Sequence, residues 1–359
     1  MDGLEIAHRR LHAQHLVGPP LPDPVSVVRH FGAMQAQEYA VAKWSVAQRT
    51  TGVDDAAMQK LIDDGSILRT HVLRPTWHFV AAEDLGWLQA LTGPRVQVFN
   101  RYYNRQHGLD DEVAARTNKL IAGALRGGNH LTRVEVGEVL AAGGFPATGN
   151  KLAYVVMRAE LDGVVANGAM RGRQHTYALV EERVAAARAL DPDAALAELT
   201  LRYFTAHGPA TIRDFVWWSS LTATQIRRGL DLVGDAVACD VVEGRTVWFR
   251  PGAAPPPRPS ALLLQGYDEY VVAFSDTKFA FNLGGGSPAP GRYPENSMMH
   301  PIAVDSQLVG FWRRTVKGRG LALELDLFGH ITAAQRRALD KEIERYGAYA
   351  GVPLTVTTV

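Results

Sequence analysis

Helix-start signals followed by hairpin patterns recur along the first 250 residues, and few folds accommodate such a recurrence. Three threonines each precede an acidic or amide residue by three positions, the spacing of a helix-capping box: Thr132 with Glu135, Thr211 with Asp214, and Thr222 with Gln225. An earlier helix begins with Asp23 as its N-cap and Pro24 at its first position, where a missing N–H removes no hydrogen bond. The sequence therefore predicts several short helices with defined starts.

A stretch typical of a β-hairpin follows each group of helices. These stretches are rich in β-branched and aromatic residues and contain a turn signal: "ILRTHVLRPTWHFV" (67–80), "GVVANGAMRGRQHTYALV" (163–180) and "VACDVVEGRTVWFRP" (237–251). Helices followed by a hairpin are typical of a winged helix, and the pattern occurs three times. We therefore expect three tandem winged-helix domains, at residues 1–108, 109–190 and 191–250.

The proline-rich stretch "PGAAPPPRPS" at 251–260 continues neither a helix nor a central strand, so we interpret it as a linker. Short apolar segments that alternate with glycine and proline loops follow it, and "TAAQRRALDKEIERYGAYAG" predicts a closing helix. Residues 261–359 are expected to form a β-rich, barrel-like domain. The predicted fold class is α+β, with three tandem winged-helix domains and a C-terminal β-barrel-like domain.

The composition excludes several classes of protein. The 359 residues are 47% hydrophobic and 21% charged, as in an ordinary globular protein. No apolar run reaches the ~18 residues of a membrane-spanning helix and the N-terminus lacks the apolar core of a signal peptide, so we expect a cytoplasmic protein. The single cysteine, Cys239, excludes an internal disulfide. Because the net charge is only +1, any surface for nucleic acid has to be a local basic patch.

The first predicted hairpin is basic and contains no acidic residue. Strand alternation places Arg69 and His71 on one face, and Arg74 lies at the bend before Pro75. Positive side chains on a hairpin are suited to contacts with DNA phosphates. We therefore expect these three residues to bind DNA.

Two further runs are basic and free of acidic residues. They supply five more candidates for DNA binding: Arg171, Arg173 and His175 in "NGAMRGRQHTY", and Lys317 with Arg319 in "WRRTVKGRG". Each run by itself is also consistent with a solvated turn. Two basic tips on successive winged helices favour DNA as the partner.

Two glutamines one residue apart, Gln35 and Gln37 in "FGAMQAQEYAVAKW", stand near the end of a helical pattern. In a helix, residues two apart lie about 200° around the axis, whereas in an extended or turn segment they project to one side. A continuous helix is the more ordinary outcome for such a stretch. A chain that leaves the helix near Gly32 instead brings both amides to one target.

The chemistry open to a pair of amides is narrow. An amide is not a general base, but its carbonyl oxygen and two N–H groups can hold a water molecule. Such a pair suffices only where the leaving group departs easily, so that the enzyme mainly orients the nucleophile and stabilises charge.

No other motif points to a cofactor. His71 and His78 have no carboxylate or cysteine at ligand spacing and the chain contains no H-E-x-x-H, so no metal site is expected. Asp268 and Glu269 in "QGYDEYVVAF" either line a cleft or keep a strand edge from aggregating.

Five stretches, in this order, resemble the AlkZ-type winged-helix DNA glycosylases, a family related to the YcaQ-type bacterial enzymes. They are "QAQ" (35–37), "ILRTHVLRPTWHFV" (67–80), "QHTYALVEERV" (174–184), "YFTAHGPATIRDFVWW" (203–218) and "LLLQGYDEYVVAF" (262–274). The likeness spans most of the chain. It implies tandem winged helices and a C-terminal β-barrel around a DNA channel.

The resemblance also implies an activity. The family's catalytic signature is Gln–apolar–Gln, which this chain carries as Gln35, Ala36 and Gln37, whereas the YcaQ-type branch has a carboxylate in the motif. It implies excision of alkylated purines from double-stranded DNA, unhooking of interstrand crosslinks and, in some members, self-resistance to DNA-alkylating natural products. We expect the two glutamines to orient the attacking water, with Glu38 or Asp268 adding negative charge.

The predicted function is therefore that of a monofunctional DNA glycosylase, acting as a monomer without a cofactor. A purine alkylated at N7 or N3 is already cationic, so its glycosidic bond breaks readily and needs no strong acid. A winged-helix regulator without catalysis is the alternative, since this fold serves both roles. A regulator normally dimerises on spaced half-sites. A third class would bind the free alkylating drug without DNA.

Overall fold

One order of elements occurs three times between residues 24 and 249: a helix, a short extended segment, two helices and a two-stranded antiparallel hairpin. A computed structural model describes residues 1–252, 259–287 and 299–358, so most of the expected linker at 251–260 lies outside the described residues. The chain is a mixed α+β protein, as predicted. No helix in the described ranges combines the length and apolarity needed to cross a bilayer.

The first unit follows a separate helix and leads into a long one. Its elements are α1 (Gly3–Ala13), α2 (Pro24–Phe31), β1 (Met34–Gln35), α3 (Tyr39–Ala47), α4 (Asp55–Asp63), β2 (Ile67–Val72), β3 (Arg74–Ala81) and α5 (Leu85–Gln106). The strands form an antiparallel sheet in the order β1-β3-β2. Helix α2 starts as predicted, because the Asp23 side chain accepts a hydrogen bond from the N–H of Ser26 and Pro24 occupies the first turn.

The second and third units repeat this order. The second contains α6 (Asp111–Leu125), β4 (Leu131–Thr132), α7 (Arg133–Ala142), α8 (Gly149–Leu161), β5 (Val165–Asn167), β6 (Thr176–Leu179) and α9 (Val180–Arg183). The third contains α10 (Pro192–Ala206), α11 (Ile212–Ser219), α12 (Ala223–Val233), β7 (Ala238–Val242) and β8 (Arg245–Phe249). In the third, a single bridge between Ala210 and Trp248 takes the place of the first strand. All three predicted capping boxes and all three predicted hairpins are confirmed.

The C-terminal part is a curled five-stranded sheet covered by a helix. Its elements are β9 (Ala261–Leu263), α13 (Glu269–Val272), β10 (His300–Val304), β11 (Gln307–Lys317), β12 (Gly320–Leu327), α14 (Ala333–Ala350) and β13 (Leu354–Thr358). The strand order is β13-β12-β11-β10-β9, with only β12 and β13 parallel. Helix α14 is the predicted closing helix, and it begins at a capping box formed by Thr332 and Gln335.

Two hydrophobic cores join the first unit to the rest of the chain. One packs Phe31 and Trp44 of the first unit against Leu263 and the C-terminal sheet, and the Trp44 indole N–H donates to the Leu263 carbonyl at 2.8 Å. The other packs Leu68 of β2 against Tyr203 and its neighbours in the third unit. The second unit has a core of its own. The segment after α2 therefore lies where the first unit, the third unit and the C-terminal part meet.

Candidate active site

The segment that carries Gln35 and Gln37 is not helical: it is a short strand followed by a bend. Helix α2 ends at Phe31, and Gly32 adopts a φ of +79°, which glycine tolerates easily. The chain then forms β1, in which Gln35 pairs with His78 of β3. The expectation of a continuous helix is therefore wrong for this stretch. The chain leaves the helix before the motif, and Gln37 lies in the bend that follows β1.

Contacts from distant parts of the chain hold the backbone of this segment. The Gln35 N–H donates to Oε1 of Glu269 at 2.7 Å, and the Gln35 carbonyl accepts a bond from Nε2 of Gln265 at 3.1 Å. The next N–H, of Ala36, donates to the carbonyl of Trp77 at 2.8 Å. The segment is thus fixed between β3 and the C-terminal part.

The side chain of Gln35 is 4% exposed and fully engaged at its oxygen. One orientation of the amide gives every neighbouring group a hydrogen bond. In it, Oε1 accepts from a guanidinium nitrogen of Arg74 at 2.7 Å and from Oγ1 of Thr76 at 3.2 Å, and Nε2 donates to the carbonyl of Trp77 at 3.3 Å. An amide oxygen has two acceptor positions. Both are occupied here, so Gln35 is positioned firmly but its oxygen has no free acceptor position.

Gln37 is half-buried and less constrained than Gln35. Its Oε1 accepts a bond from the backbone N–H of Trp77 at 3.3 Å, and its backbone carbonyl accepts one from Arg69 at 3.3 Å. Its Nε2 makes no hydrogen bond to the residues that the structure describes. Since the Gln35 amide also contacts Trp77, the structure brings both carboxamides to one segment of β3.

A fully buried carboxylate, Glu269, lies against Gln35. Besides the Gln35 N–H, it accepts bonds at Oε2 from Nε2 of His207 at 3.1 Å and from the indole N–H of Trp218 at 2.8 Å. Burial lowers the pKa of His207, so its imidazole is neutral at pH 7 and donates its one N–H to Glu269. The carboxylate therefore ties the first unit to the third.

Sequence reasoning selected the neighbouring Asp268 instead of Glu269. Asp268 forms a buried ion pair with Arg49 at 2.7 Å and accepts a bond from the Ser45 hydroxyl at 2.6 Å. Its side-chain contacts are thus with Ser45 in α3 and with Arg49, two residues beyond the end of that helix, rather than with the glutamine motif. Asp268 and Glu269 are adjacent in the sequence, and no local pattern indicates which of the two carboxylates contacts Gln35.

Glu38, the other carboxylate candidate, follows the motif directly and is half-buried. Its Oε1 lies 3.3 Å from Nε2 of His300, whose Nδ1 accepts the backbone N–H of Gly266 at 2.9 Å. Its Oε2 has no hydrogen-bond partner among the described residues. The structure keeps Glu38 close to the motif, and its electrostatic role stays a prediction.

The basic residues of the first hairpin make their contacts inside the protein. Arg69 is 8% exposed and donates from Nε to the carbonyl of Ala36 at 2.9 Å. His71 is buried against the carboxylate of Glu160, and Arg74 contacts the Gln35 amide. The structure therefore brings Arg69 and Arg74 to the motif as supports. Direct binding of DNA by these three residues stays a prediction.

The tip of the second hairpin is exposed, and one of its basic residues lies near the motif. Arg171, Arg173 and His175 are all exposed, and Arg171 forms an ion pair with Glu135 at 2.6 Å. The His175 ring lies 4.7 Å, edge-on, from the ring of Tyr39, the residue that begins α3 directly after the motif. All three predicted basic residues of this hairpin thus face solvent, and the contact with Tyr39 places His175 near the glutamine motif.

Lys317 and Arg319 are exposed at the tip of another hairpin, between β11 and β12. Gly318 at this tip has a φ of +59°, which glycine tolerates. No contact within the described ranges links this tip to the glutamine motif, so the structure does not bring these two residues to the first two hairpins.

A cleft of about 280 Å³ opens between the first and second units. Its lining includes residues of both: Arg69, Trp77, Thr132, Arg133, Val134, Gln174, His175 and Tyr177. Because Arg69 and Trp77 also contact Gln37, the cleft adjoins the second glutamine of the motif. The cleft offers a space for a group larger than water beside the two carboxamides.

Comparison with known proteins shows one consistent likeness. The family described as DNA glycosylase AlkZ-like matches residues 28–349. The interstrand DNA cross-link repair glycosylase of Streptomyces sahachiroi is 27% identical over 318 residues, which cover 84% of this chain and 85% of that protein. The solved structure of Streptomyces sahachiroi DNA glycosylase AlkZ matches with a TM-score of 0.79 at 22% identity, over 100% of both chains. The matched range contains every contact described around Gln35.

Proposed function

The chain belongs to the AlkZ-like family of DNA glycosylases, and from this we propose that it is a monofunctional glycosylase. It hydrolyses the N-glycosidic bond of purines alkylated at N7 or N3. Gln35 and Gln37 form the reactive centre, and water attacks the sugar without a covalent enzyme intermediate.

One observation carries this proposal: the side chains of Gln35 and Gln37 both contact Trp77 of β3, and the backbone N–H of Gln35 donates to the buried carboxylate of Glu269. An alkylated purine already carries a positive charge, so its departure leaves an oxocarbenium-like sugar and needs no proton from a strong acid. The remaining tasks are to place a water molecule and to stabilise positive charge. The site supplies groups for both tasks.

Gln37 is the amide better placed to hold the water. The acceptor positions of the Gln35 oxygen are taken by Arg74 and Thr76, whereas the Gln37 oxygen accepts one hydrogen bond, from Trp77. An amide oxygen with one open acceptor position can accept a hydrogen bond from water and so aim the water's lone pair. Gln35 then fixes the position of its neighbour and donates its remaining N–H.

Glu269 supplies the negative charge. It receives three N–H donors, from Gln35, His207 and Trp218, and this arrangement suits the ionised carboxylate, which only accepts hydrogen bonds. A fixed negative charge in a buried site favours a cation nearby more than it does in water. This role was assigned to Glu38 or Asp268 from the sequence.

The repeated units serve the proposed function as winged-helix domains, at 1–108, 109–190 and 191–250, joined by a linker at 251–260 to a barrel-like domain at 261–359. Support for this comes from the recurring order of elements and from the pairing of the last hairpin strand with the first extended segment. The exposed tip that carries Arg171, Arg173 and His175 contacts phosphates of duplex DNA beside the motif. Lys317 and Arg319 contact a second part of the duplex, and one monomer binds one lesion.

The substrate range extends to bulky lesions. The Streptomyces sahachiroi relative is named as an interstrand cross-link repair glycosylase, and we extend unhooking of such crosslinks to this chain. Protection of a cell against a DNA-alkylating natural product would follow from that activity. The cleft beside Gln37 gives room for an alkyl group on the purine.

A regulator without catalysis is the less favoured alternative. The matched family and the similar relative are both described as DNA glycosylases. A regulator also has no need of a buried carboxylate bound to the backbone of a glutamine pair. A regulator would prefer a DNA sequence over a lesion and would leave no abasic site.

The test is incubation of the protein with a DNA duplex that contains one N7-methylguanine, followed by alkaline cleavage of abasic sites. We expect cleavage at the lesion with the native protein and none on the undamaged duplex. A matched reaction uses the protein with both Gln35→Ala and Gln37→Ala. Product at the native rate from this variant would remove the two glutamines from the mechanism, and no product from the native protein would refute the activity on this lesion.

A further inference from the structure

The most exposed aromatic side chains of the described residues lie on two helices, α5 and α11. Phe99, Tyr102 and Tyr103 on α5 are 54%, 57% and 46% exposed, and Trp217 on α11 is 52% exposed. The other Phe, Tyr and Trp side chains that the structure describes are buried or half-buried. Single exposed apolar residues are ordinary, but four exposed aromatic side chains on two helices that contact each other indicate a binding surface.

This region begins at the glutamine motif. The Trp217 indole is fixed by a 2.9 Å hydrogen bond to the carbonyl of Val272, and its ring centroid lies 5.7 Å from the guanidinium carbon of Arg74. Arg74 in turn contacts the Gln35 amide. Trp217 is therefore an exposed ring, held in place beside the candidate active site.

The region continues along one face of α5. Arg95 donates from Nε to the carbonyl of Ser220 at 3.2 Å, immediately after the helix that carries Trp217. Phe99 and Tyr102 follow Arg95 by four and seven positions, so the three share a face of the helix. From Arg95 to Tyr102 the helix rises about 10 Å, which is the length of about three stacked bases at 3.4 Å each.

The charge of this helix suits an anionic partner. No acidic residue occurs between Asp84 and Asp110, a range that spans the whole of α5. Arg101 and Arg105 are exposed next to the aromatic side chains. Positive charges interleaved with exposed rings are typical of surfaces that bind single-stranded nucleic acid.

We propose that the aromatic track, defined as Trp217, Phe99 and Tyr102 with Arg101 and Arg105, binds an unpaired DNA strand next to the lesion. The faces of bases within a duplex are covered by their neighbours, so exposed rings gain stacking only from unpaired bases. The arginines neutralise the phosphates of the same strand. The inference rests on the proposed function for the lesion, but the track binds undamaged strands as well.

The test measures binding of a fluorescent dT oligomer by anisotropy. The variant Phe99→Ala with Tyr102→Ala should bind about 30-fold more weakly or worse, because it loses two stacking contacts and each is worth about 1–3 kcal/mol. Tyr102→Phe should bind like the native protein, since it keeps the ring. Val241→Ala, which removes an exposed apolar side chain from β7, is the matched control and should change nothing. Thermal unfolding of every variant shows whether it is folded.

The salt dependence separates stacking from charge. The aromatic variant should keep the native salt slope, whereas Arg101→Gln with Arg105→Gln should lower it by about one unit or more. Unchanged dT binding by the folded aromatic variant would overturn the proposal and leave the track to a protein partner. Excision of N7-methylguanine by the native protein is measured in parallel. If the native protein excises the lesion but the aromatic variant binds dT as well as the native protein does, only the proposal about the track is wrong. If the aromatic variant binds dT more weakly but the native protein does not excise N7-methylguanine, only the proposed activity on this lesion is wrong.

Discussion

Gln35 and Gln37 are chemically identical, yet their surroundings give them different tasks. The oxygen of Gln35 is saturated by Arg74 and Thr76, and its backbone is bound by Glu269 and Gln265. Gln37 is half-buried and retains hydrogen-bonding capacity. The pair therefore divides into one residue that is held and one that is free to hold water.

This difference predicts how the two single variants behave. Gln37→Ala should lower the single-turnover rate of excision by about 100-fold, the scale for loss of one positioned hydrogen-bonding group, with little change in the melting temperature. Gln35→Ala should lower both the rate of excision and the melting temperature, because it leaves Arg74 without its buried hydrogen-bond partner. Single-turnover assays and thermal unfolding measure the two effects. Gln97→Ala is the control, and a native rate for Gln37→Ala would contradict the proposed role.

The carboxylate next to the motif can be tested without changing its shape. Glu269→Gln removes the negative charge and places an amide where three N–H donors converge, so we expect excision to slow by about 10-fold or more. Affinity for the lesion-containing duplex should change less than the rate, because the cation develops only during the reaction. Binding is measured by anisotropy and the rate in single-turnover mode. If affinity and rate fall by the same factor in Glu269→Gln, the role of Glu269 is only structural.

At the scale of elements, the hairpin tips differ in how free their charges are. The turn of the second hairpin carries Arg171 and Arg173, but Arg171 is already paired with Glu135 at 2.6 Å. The first hairpin instead makes its basic contacts internally. A hairpin pattern with arginines thus corresponds to a support in one unit and an exposed tip in the next.

The second hairpin should therefore show an unequal effect of its two arginines. Arg173→Ala should weaken binding to duplex DNA and lower the salt slope by about 0.9, the value for one phosphate contact. Arg171→Ala should lower it less, because Glu135 competes with phosphate for this side chain. Arg9→Ala on α1 is the control. Salt titrations of affinity measure the slopes, and identical slopes for native protein and Arg173→Ala would refute the contact.

At the scale of the whole molecule, a buried carboxylate lies where the first unit meets the C-terminal helix. Glu342 of α14 is fully buried and contacts the amide of Gln48 and the backbone N–H of Leu263. Burial raises the pKa of Glu342 from 4.5 to about 7, with Arg345 opposing the shift. The packing of these two parts is therefore sensitive to pH.

The sign of this dependence follows from the raised pKa. Below pH 4.5 Glu342 is protonated in both the folded and unfolded chain, and between pH 4.5 and 7 only the unfolded chain loses the proton. Its contribution to the free energy of unfolding should therefore fall as the pH rises through this range, by up to about 3 kcal/mol. Glu342→Gln should remove that dependence, measured by denaturant unfolding at several pH values. Glu344→Gln, exposed on the same helix, should retain it.

Local signals in the sequence determined much of this architecture. The capping boxes at Thr132, Thr211 and Thr222, the cap at Asp23 and the three hairpins all appear where they were predicted. Each of these features depends on residues only a few positions apart, so most of the interactions that stabilise it lie within the segment itself. The same holds for the helix that begins after Thr332.

Tertiary structure decided the composition of the site. Gln35 lies in a strand because it pairs with β3, and Glu269 rather than Asp268 reaches it from 234 positions away. Arg69, which is predicted to bind DNA, is buried and donates to the carbonyl of Ala36 within the same motif. A buried hydrogen bond between distant segments forms only when both are packed together, so its partner cannot be identified from the residues on either side of it in the chain.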